Sequence, residues 1–452
     1  MRASRLLARG RARRRAPADV RVVRRRAATR GGADIAVRSE EVVAGPITAC
    51  QACSSSGLET VLDFLPQPPV QAFLTPDRIR EPETHYPVAL LRCPDCGLVQ
   101  LGYALDPEIV FPRDYPYQTG MTRILVEDFA DLADKAVERG SLGEGNLAID
   151  IGSNDGTLLK GFLPHRLRVL GIEPTDIAAI AEQNGVPTVQ AYFDEAVAER
   201  VVAEHGHASV VSATNVLAHV PNLFPFLRGV SALLEDGGML VSESHYLLDL
   251  VQGLQYDTIY HEHLRFYGLR PLTAILERAG FSVVDCERVP THGGSIRVWA
   301  VKGKGEPSER LEAQRREEEE YGLYGAERLG EFRSRVVASK HALLGLLLEL
   351  RSQGARIVGV GAPARSSMLL NYCRIDSDLV EYVVEPPGSL KNGLYTPASH
   401  IPIVEESRLI AEQPEYALML SWHIADGLIP KLRERGFRGE FVVPLPEPRV
   451  VS

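Results

Sequence analysis

The stretch IYHEHLRFY, residues 259 to 267, holds two histidines, a glutamate and two tyrosines, enough for metal ligation or for proton transfer. A metal needs converging nitrogens. His261 and His263 are two apart and share a face only in an extended segment; the spacing is not HExxH, and no third ligand stands nearby. Proton transfer needs a base, an orienting carboxylate and a phenol that can hydrogen-bond an oxyanion. His263, Glu262 and Tyr260 supply one of each, and a histidine with a pKa near neutrality suits a base that is free at rest. Alone, the stretch reads equally as a polar loop. Asn215 and His219 in ATNVLAHV, and His292, Gly294 and Arg297 in THGGSIR, tilt it toward a site, because ligands gather at the carboxyl ends of strands in a doubly wound sheet.

Four of the six cysteines form two CxxC pairs, Cys50 with Cys53 and Cys93 with Cys96. Each pair can turn both sulfurs toward one ion, and two pairs complete a tetrahedron with no open position, so structural zinc is expected. The 39 residues between the pairs exceed the usual zinc-ribbon spacing and imply an inserted lobe placed to cover a neighbouring site.

Two glycine turns follow strand-like runs. In AIDIGSNDGTL, Asp150, Gly152, Asn154 and Gly156 form a GxxxG turn rather than GxGxxG, and Glu173 in GIEP ends the next strand where it would hold ribose hydroxyls. This suits S-adenosylmethionine better than a dinucleotide pyrophosphate. The second turn, GVGAPARSS, is closer to GxGxxA, with Glu385 where a ribose acid would stand. NAD, the phosphates of a nucleotide-linked substrate held by Gly361, Arg365, Ser366 and Ser367, or no ligand at all fit this local pattern comparably.

Strands alternating with helices predict an α/β chain: a doubly wound Rossmann-like domain and a second C-terminal Rossmann-like unit, with the cysteine lobe at the N-terminal side. The expected boundaries are an Arg-rich disordered tail (1–45), a zinc lobe (46–112), a cofactor domain (113–304), and long helices leading into the last domain (305–452). Phe332, Val336, Leu343, Leu347 and Leu350 mark the apolar stripe of those helices. The tail is read as disordered, as a misplaced start, or as a transit-peptide-like segment, with a basic arm touching nucleic acid the weakest reading. Its 13 arginines against four acids leave a charge of −18 on the rest of a chain whose net charge is −9. That acidic body argues against nucleic-acid binding, no run is apolar enough to span a bilayer, and a cytoplasmic location is expected.

Taken together, CxxC…CxxC, DYPYQTGMT, DIGSNDGTL, NVLAHV, YHEH, THGGSIRVWA, GVGAPARSSMLLNY and KNGLYTPASHIPI resemble the C-methyltransferases of nucleotide-linked deoxysugars, from about residue 46 to the end. The resemblance implies a zinc lobe, an S-adenosylmethionine domain and a C-terminal Rossmann-like domain. It implies that His263 removes a proton beside a keto group, assisted by Glu262 and Tyr260, with Asn215 and His219 facing the sugar. Tyr115 or Tyr117 reaches the site, and the second turn with Lys391 takes the nucleotide diphosphate. The expected reaction is methylation of carbon 3 of a nucleotide-bound 4-keto-deoxyhexose. Rivals are methylation at another carbon or oxygen, an NAD-dependent nucleotide-sugar oxidoreductase, and a binding protein without turnover.

Overall fold

The strand Leu147–Ile151 is buried at every position, as a central parallel strand covered on both faces must be. It lies in a seven-stranded sheet whose order is Phe281–Val289, Ser295–Lys302, Leu234–His245, Ala208–Thr214, Leu147–Ile151, Arg168–Glu173 and Thr188–Gln190. The last five of these run parallel. Ser295–Lys302 is antiparallel to both neighbours, so a reversed hairpin edge replaces the last parallel strand of a dinucleotide fold. This computed structural model of the chain describes residues 44–113, 115 and 118–452, so the expected Arg-rich tail as far as residue 43, and Tyr117, lie outside the described residues.

The C-terminal part repeats the doubly wound theme. Its six-stranded sheet has the order Ile403–Glu405, Val383–Glu385, Ile357–Val360, Tyr416–Met419, Glu440–Val443 and Arg449–Val451, parallel except for the last strand. Between the sheets run helices Glu309–Tyr321 and Ala326–Ser352. Ser308 caps the first through a bond from the Leu311 amide, and Gly322 ends it in the left-handed conformation. The second buries its whole anticipated stripe, Phe332 through Leu350, and each such side chain contributes roughly 1.5–3 kcal/mol. The helices therefore form part of the shared core.

The cysteine lobe builds a four-stranded antiparallel sheet, Glu59–Asp63, Ala89–Arg92, Val99–Leu101 and Arg265–Phe266. The fourth strand begins two residues after His263, so the lobe and the HEH segment share one hydrogen-bonded frame. The lobe also touches the C-terminal part: Leu74 bridges Tyr395, and the Ser367 hydroxyl donates to the Val70 carbonyl at 2.9 Å. No helix among the described residues is long and apolar enough to cross a membrane.

Candidate active site

The four cysteine sulfurs lie within 4.8 Å of one another, with Cys50–Cys96 and Cys53–Cys93 at 3.5 Å. A tetrahedral zinc with bonds of about 2.3 Å sets sulfur separations in this range, so the donor set fits the ion. Among the described residues this is the one such cluster of potential ligands, and the histidines do not form another.

At the end of Leu147–Ile151 the chain turns through Gly152 (φ 72°), Asn154 (φ 50°) and Gly156 (φ 79°). A Cβ on Gly152 would sit 2.6 Å from Val216, so glycine is needed for space as well as conformation. Glu173 reaches the turn and accepts the Asn154 amide at 3.0 Å and the Thr175 hydroxyl at 2.6 Å. Asp150 lies beneath; burial pushes its carboxyl up to about 7, opposed by the Ser212 hydroxyl and reinforced by Glu173. The Thr119 and Gly120 amides donate to the side chains of Asn154 and Asp155, which straps the preceding segment over the turn. Ser153 Oγ, Asn215 Oδ1 and Ser244 Oγ, near the ends of three adjacent strands, are buried without a partner among the described residues. Unpaired buried groups are costly, so they mark where a polar ligand belongs, and the turn fits an S-adenosyl group.

Beside this turn, histidine rings cluster in T-shaped and tilted contacts. The ring centroid of His263 lies 5.0 Å from His219, 4.6 Å from His245 and 4.3 Å from Tyr260, and His245 is 5.5 Å from His292. The IYHEH segment is not extended; it turns, and His263 Nδ1 bonds the Thr258 carbonyl at 2.6 Å. A carbonyl only accepts, so Nδ1 carries the proton and Nε2 the lone pair. Burial pushes His263 down to about 4, with His292 and Arg365 adding to the effect. The near-neutral value expected from sequence is thus displaced by desolvation: the base is free across a wider pH range but weaker. His219 is held well below its ordinary value by burial, and neither of its ring nitrogens has a partner among the described residues. Burial raises Glu262 to about 8, countered by the Tyr115 hydroxyl, which donates to it at 3.4 Å, and by Lys391.

Asn215 (φ 55°) and His292 (φ 57°) hold left-handed backbone that non-glycine residues seldom adopt, and such strain collects at functional sites. The close approach of the HGG turn to Asp249 leaves no room for a Cβ on Gly294. Arg297 is committed to acidic partners within the protein. Its guanidinium is fully buried and donates to Glu243 (3.0 Å), Asp131 (3.1 Å) and Asp128 (2.7 Å).

In the second turn Gly361 has φ 83°, and Lys391 Nζ donates to the Ala362 carbonyl at 2.6 Å. The side chains read as phosphate donors are engaged within the protein. Ser366 Oγ donates to the Pro363 carbonyl, Ser367 to Val70, and Arg365 holds Asp257 through two bonds of 2.8 Å. Glu385 accepts the Ala362 amide.

Sequence reading missed His245, Asp257 and Trp422. His245 follows the strand run in LVSESH, a strand-end position that could have flagged it. Asp257 gave no signal, because its partners Arg365 and Trp422 are more than 100 residues away.

A glycine turn with a terminal acid, on a sheet edged by a reversed strand, defines an S-adenosylmethionine-dependent methyltransferase. Family models match in succession: a methyltransferase zinc binding domain over residues 50–111, a methyltransferase domain over 120–285, and a C-methyltransferase C-terminal domain over 290–446. The C-methyltransferase NovU of Streptomyces niveus is 31% identical over 413 residues, covering 90% of this chain and 97% of NovU. The chain belongs to this C-methyltransferase family. Among solved structures, magnesium protoporphyrin IX methyltransferase of Synechocystis PCC 6803 with bound SAH is 17% identical, with a TM-score of 0.34, over 44% of this chain and 100% of that one.

Proposed function

We propose that this C-methyltransferase acts on carbon 3 of a nucleotide-linked 4-keto-deoxyhexose, through an enolate formed by His263. The carrying observation is the tautomer of His263: Nδ1 is fixed on the Thr258 carbonyl, which leaves Nε2 as the base beside other polar rings. A carbon next to a ketone is not nucleophilic until deprotonated. Nε2 takes the proton, the electron pair moves toward the carbonyl, and the oxygen becomes an enolate that needs hydrogen-bond donors. Tyr260, neutral His219 and a protonated Glu262 are the candidate donors, the last because its carboxyl is raised to about 8. S-adenosylmethionine, when bound, supplies an electrophilic methyl group on a sulfonium.

The rest of the chain's task is positional. Asn215, His292 and Gly294 frame the sugar, and Tyr115 reaches Glu262 from the strap. Lys391, beside the second turn and close to Glu262, is the candidate cation for the nucleotide diphosphate. The test is mass spectrometry after incubation of a thymidine-diphosphate 4-keto-deoxysugar with methyl-labelled S-adenosylmethionine. Label on a carbon beside the ketone supports the reading. No label, with methyl-donor binding intact, counts against this sugar class.

A further inference from the structure

The loop that carries the base is not held by its own domain alone. Asp257, fully buried, stands next to Thr258, whose carbonyl fixes His263. Its carboxylate accepts Arg365 Nε and Nη2, both at 2.8 Å, and Trp422 Nε1 at 2.7 Å. Arg365 and Trp422 both come from the C-terminal sheet domain, and the guanidinium also packs over the indole at 4.8 Å. Arg365 further reaches Gln255 Oε1 and the His292 carbonyl, each at 3.5 Å. Gln255 in turn donates to the Gly293 carbonyl. One buried cation from the last domain thus ties together two of the segments that present histidines, 255–263 and 291–294.

We propose that Arg365 is a positioning residue for the proton-transfer step: through Asp257 it sets the Thr258 carbonyl and with it the orientation of His263, so that proton abstraction depends on docking of the C-terminal domain. This rests on the reading of His263 as base. A planar fork is required to meet both carboxylate oxygens at once, and a buried carboxylate left without it would pull the loop toward another donor. Because the guanidinium is spent on Asp257, its substitution affects the reaction before it affects substrate affinity.

The experiment measures exchange of the substrate hydrogen beside the ketone in deuterated water, with no methyl donor present, alongside steady-state methyl transfer by the full-length protein. Arg365→Met is expected to lower exchange and kcat together, by up to about 100-fold, the cost of misplacing a catalytic group by roughly 1 Å, with KM for the nucleotide sugar little changed. Arg365→Lys, which keeps charge without the fork, should recover part of both. Trp422→Phe, which removes one donor to Asp257 and no charge, should give a smaller loss of the same kind and serves if Arg365→Met fails to fold. A rise in KM with kcat and exchange unchanged would place Arg365 on the substrate and overturn the proposal; so would exchange unaltered in all three variants. His263→Ala separates the two readings: exchange retained there removes the base itself, whereas exchange lost there but intact in Arg365→Met removes only the positioning role.

Discussion

His263 donates its Nδ1 proton to the carbonyl oxygen of Thr258, 2.6 Å away, and this bond selects which nitrogen can act as base. Desolvation pushes the imidazole down to about 4 and the adjoining carboxyl of Glu262 up to about 8. Between those values the pair is a neutral base beside a neutral acid, the combination that enolate formation uses. The dependence of kcat/KM on pH, which reports the free enzyme, is therefore expected to be a plateau that falls on the acid side toward about 4 and on the alkaline side near 8. Glu262→Gln keeps a donor but cannot ionise, so it should remove the alkaline limb and leave the acid one. An alkaline limb that persists in this variant would assign it to another group.

Stability should fall on acidification, and should begin to do so at a higher pH than in a protein held by carboxylate pairs alone. Burial lowers His261, His263 and His292 to about 4 and His423 to about 3, and lowers His219 and His245 as well. In the unfolded chain these rings titrate near 6.5, so below that value the unfolded state binds protons that the folded state refuses. Stability is then expected to fall as pH drops from about 6.5 to about 4. Glu262 acts in reverse: its folded value lies above the unfolded one of 4.5, so its contribution declines as pH rises toward 8. Urea unfolding midpoints across pH 4–7 test this. His261→Gln should lessen the slope; an unchanged slope would mean that His261 takes up its proton without unfolding.

The parts of the molecule written in contiguous sequence were legible. Parallel strands announce themselves as short apolar runs, so Leu147–Ile151, Arg168–Glu173, Ala208–Thr214 and Ile357–Val360 could be read directly. So could two CxxC pairs, because thiolate geometry restricts what such pairs do. The hairpin Phe281–Val289 and Ser295–Lys302 was not, because a charged residue, Arg297, occupies a fully buried position in its second strand and breaks the apolar signal. The same distance problem hid the site's supports. Arg365 and Ser367 open the helix Ala364–Cys373 after a turn that suggests phosphate binding, yet their partners Asp257 and Val70 are brought up only by packing of separate parts of the chain.

Zinc should matter to catalysis as well as to folding. Val99–Leu101, directly after Cys96, pairs with Arg265–Phe266, and His261 bonds the Tyr86 carbonyl of the inserted lobe at 3.3 Å. Loss of the ion therefore loosens the frame on one side of His263. Cys93→Ser is expected to abolish stoichiometric zinc by elemental analysis, lower the unfolding temperature, and reduce methyl transfer several-fold even in protein that remains folded. Full activity in a zinc-free, folded variant would separate the lobe from the site.

Glu243 and Arg297 bring the stability of the sheet and the shape of the site together. The carboxylate of Glu243, fully buried on a central strand, takes Arg297 Nε at 3.0 Å and the Thr291 hydroxyl at 2.8 Å, while its backbone carbonyl takes the Asn215 amide at 2.7 Å. It thus anchors both left-handed segments that present Asn215 and His292. Arg297→Met leaves Glu243 and Asp128 buried without their cation, and breaking such a pair costs about 3–5 kcal/mol. Replacing Glu243 by Gln in the same chain removes one of the stranded charges, so the double variant is expected to be more stable than Arg297→Met alone, with urea unfolding as the measure. Catalysis separates this from a substrate contact. A strut predicts loss of stability together with loss of kcat as the two segments relax; a ligand contact predicts normal stability and a raised KM. The second outcome would return Arg297 to the substrate-binding set that its sequence context suggests.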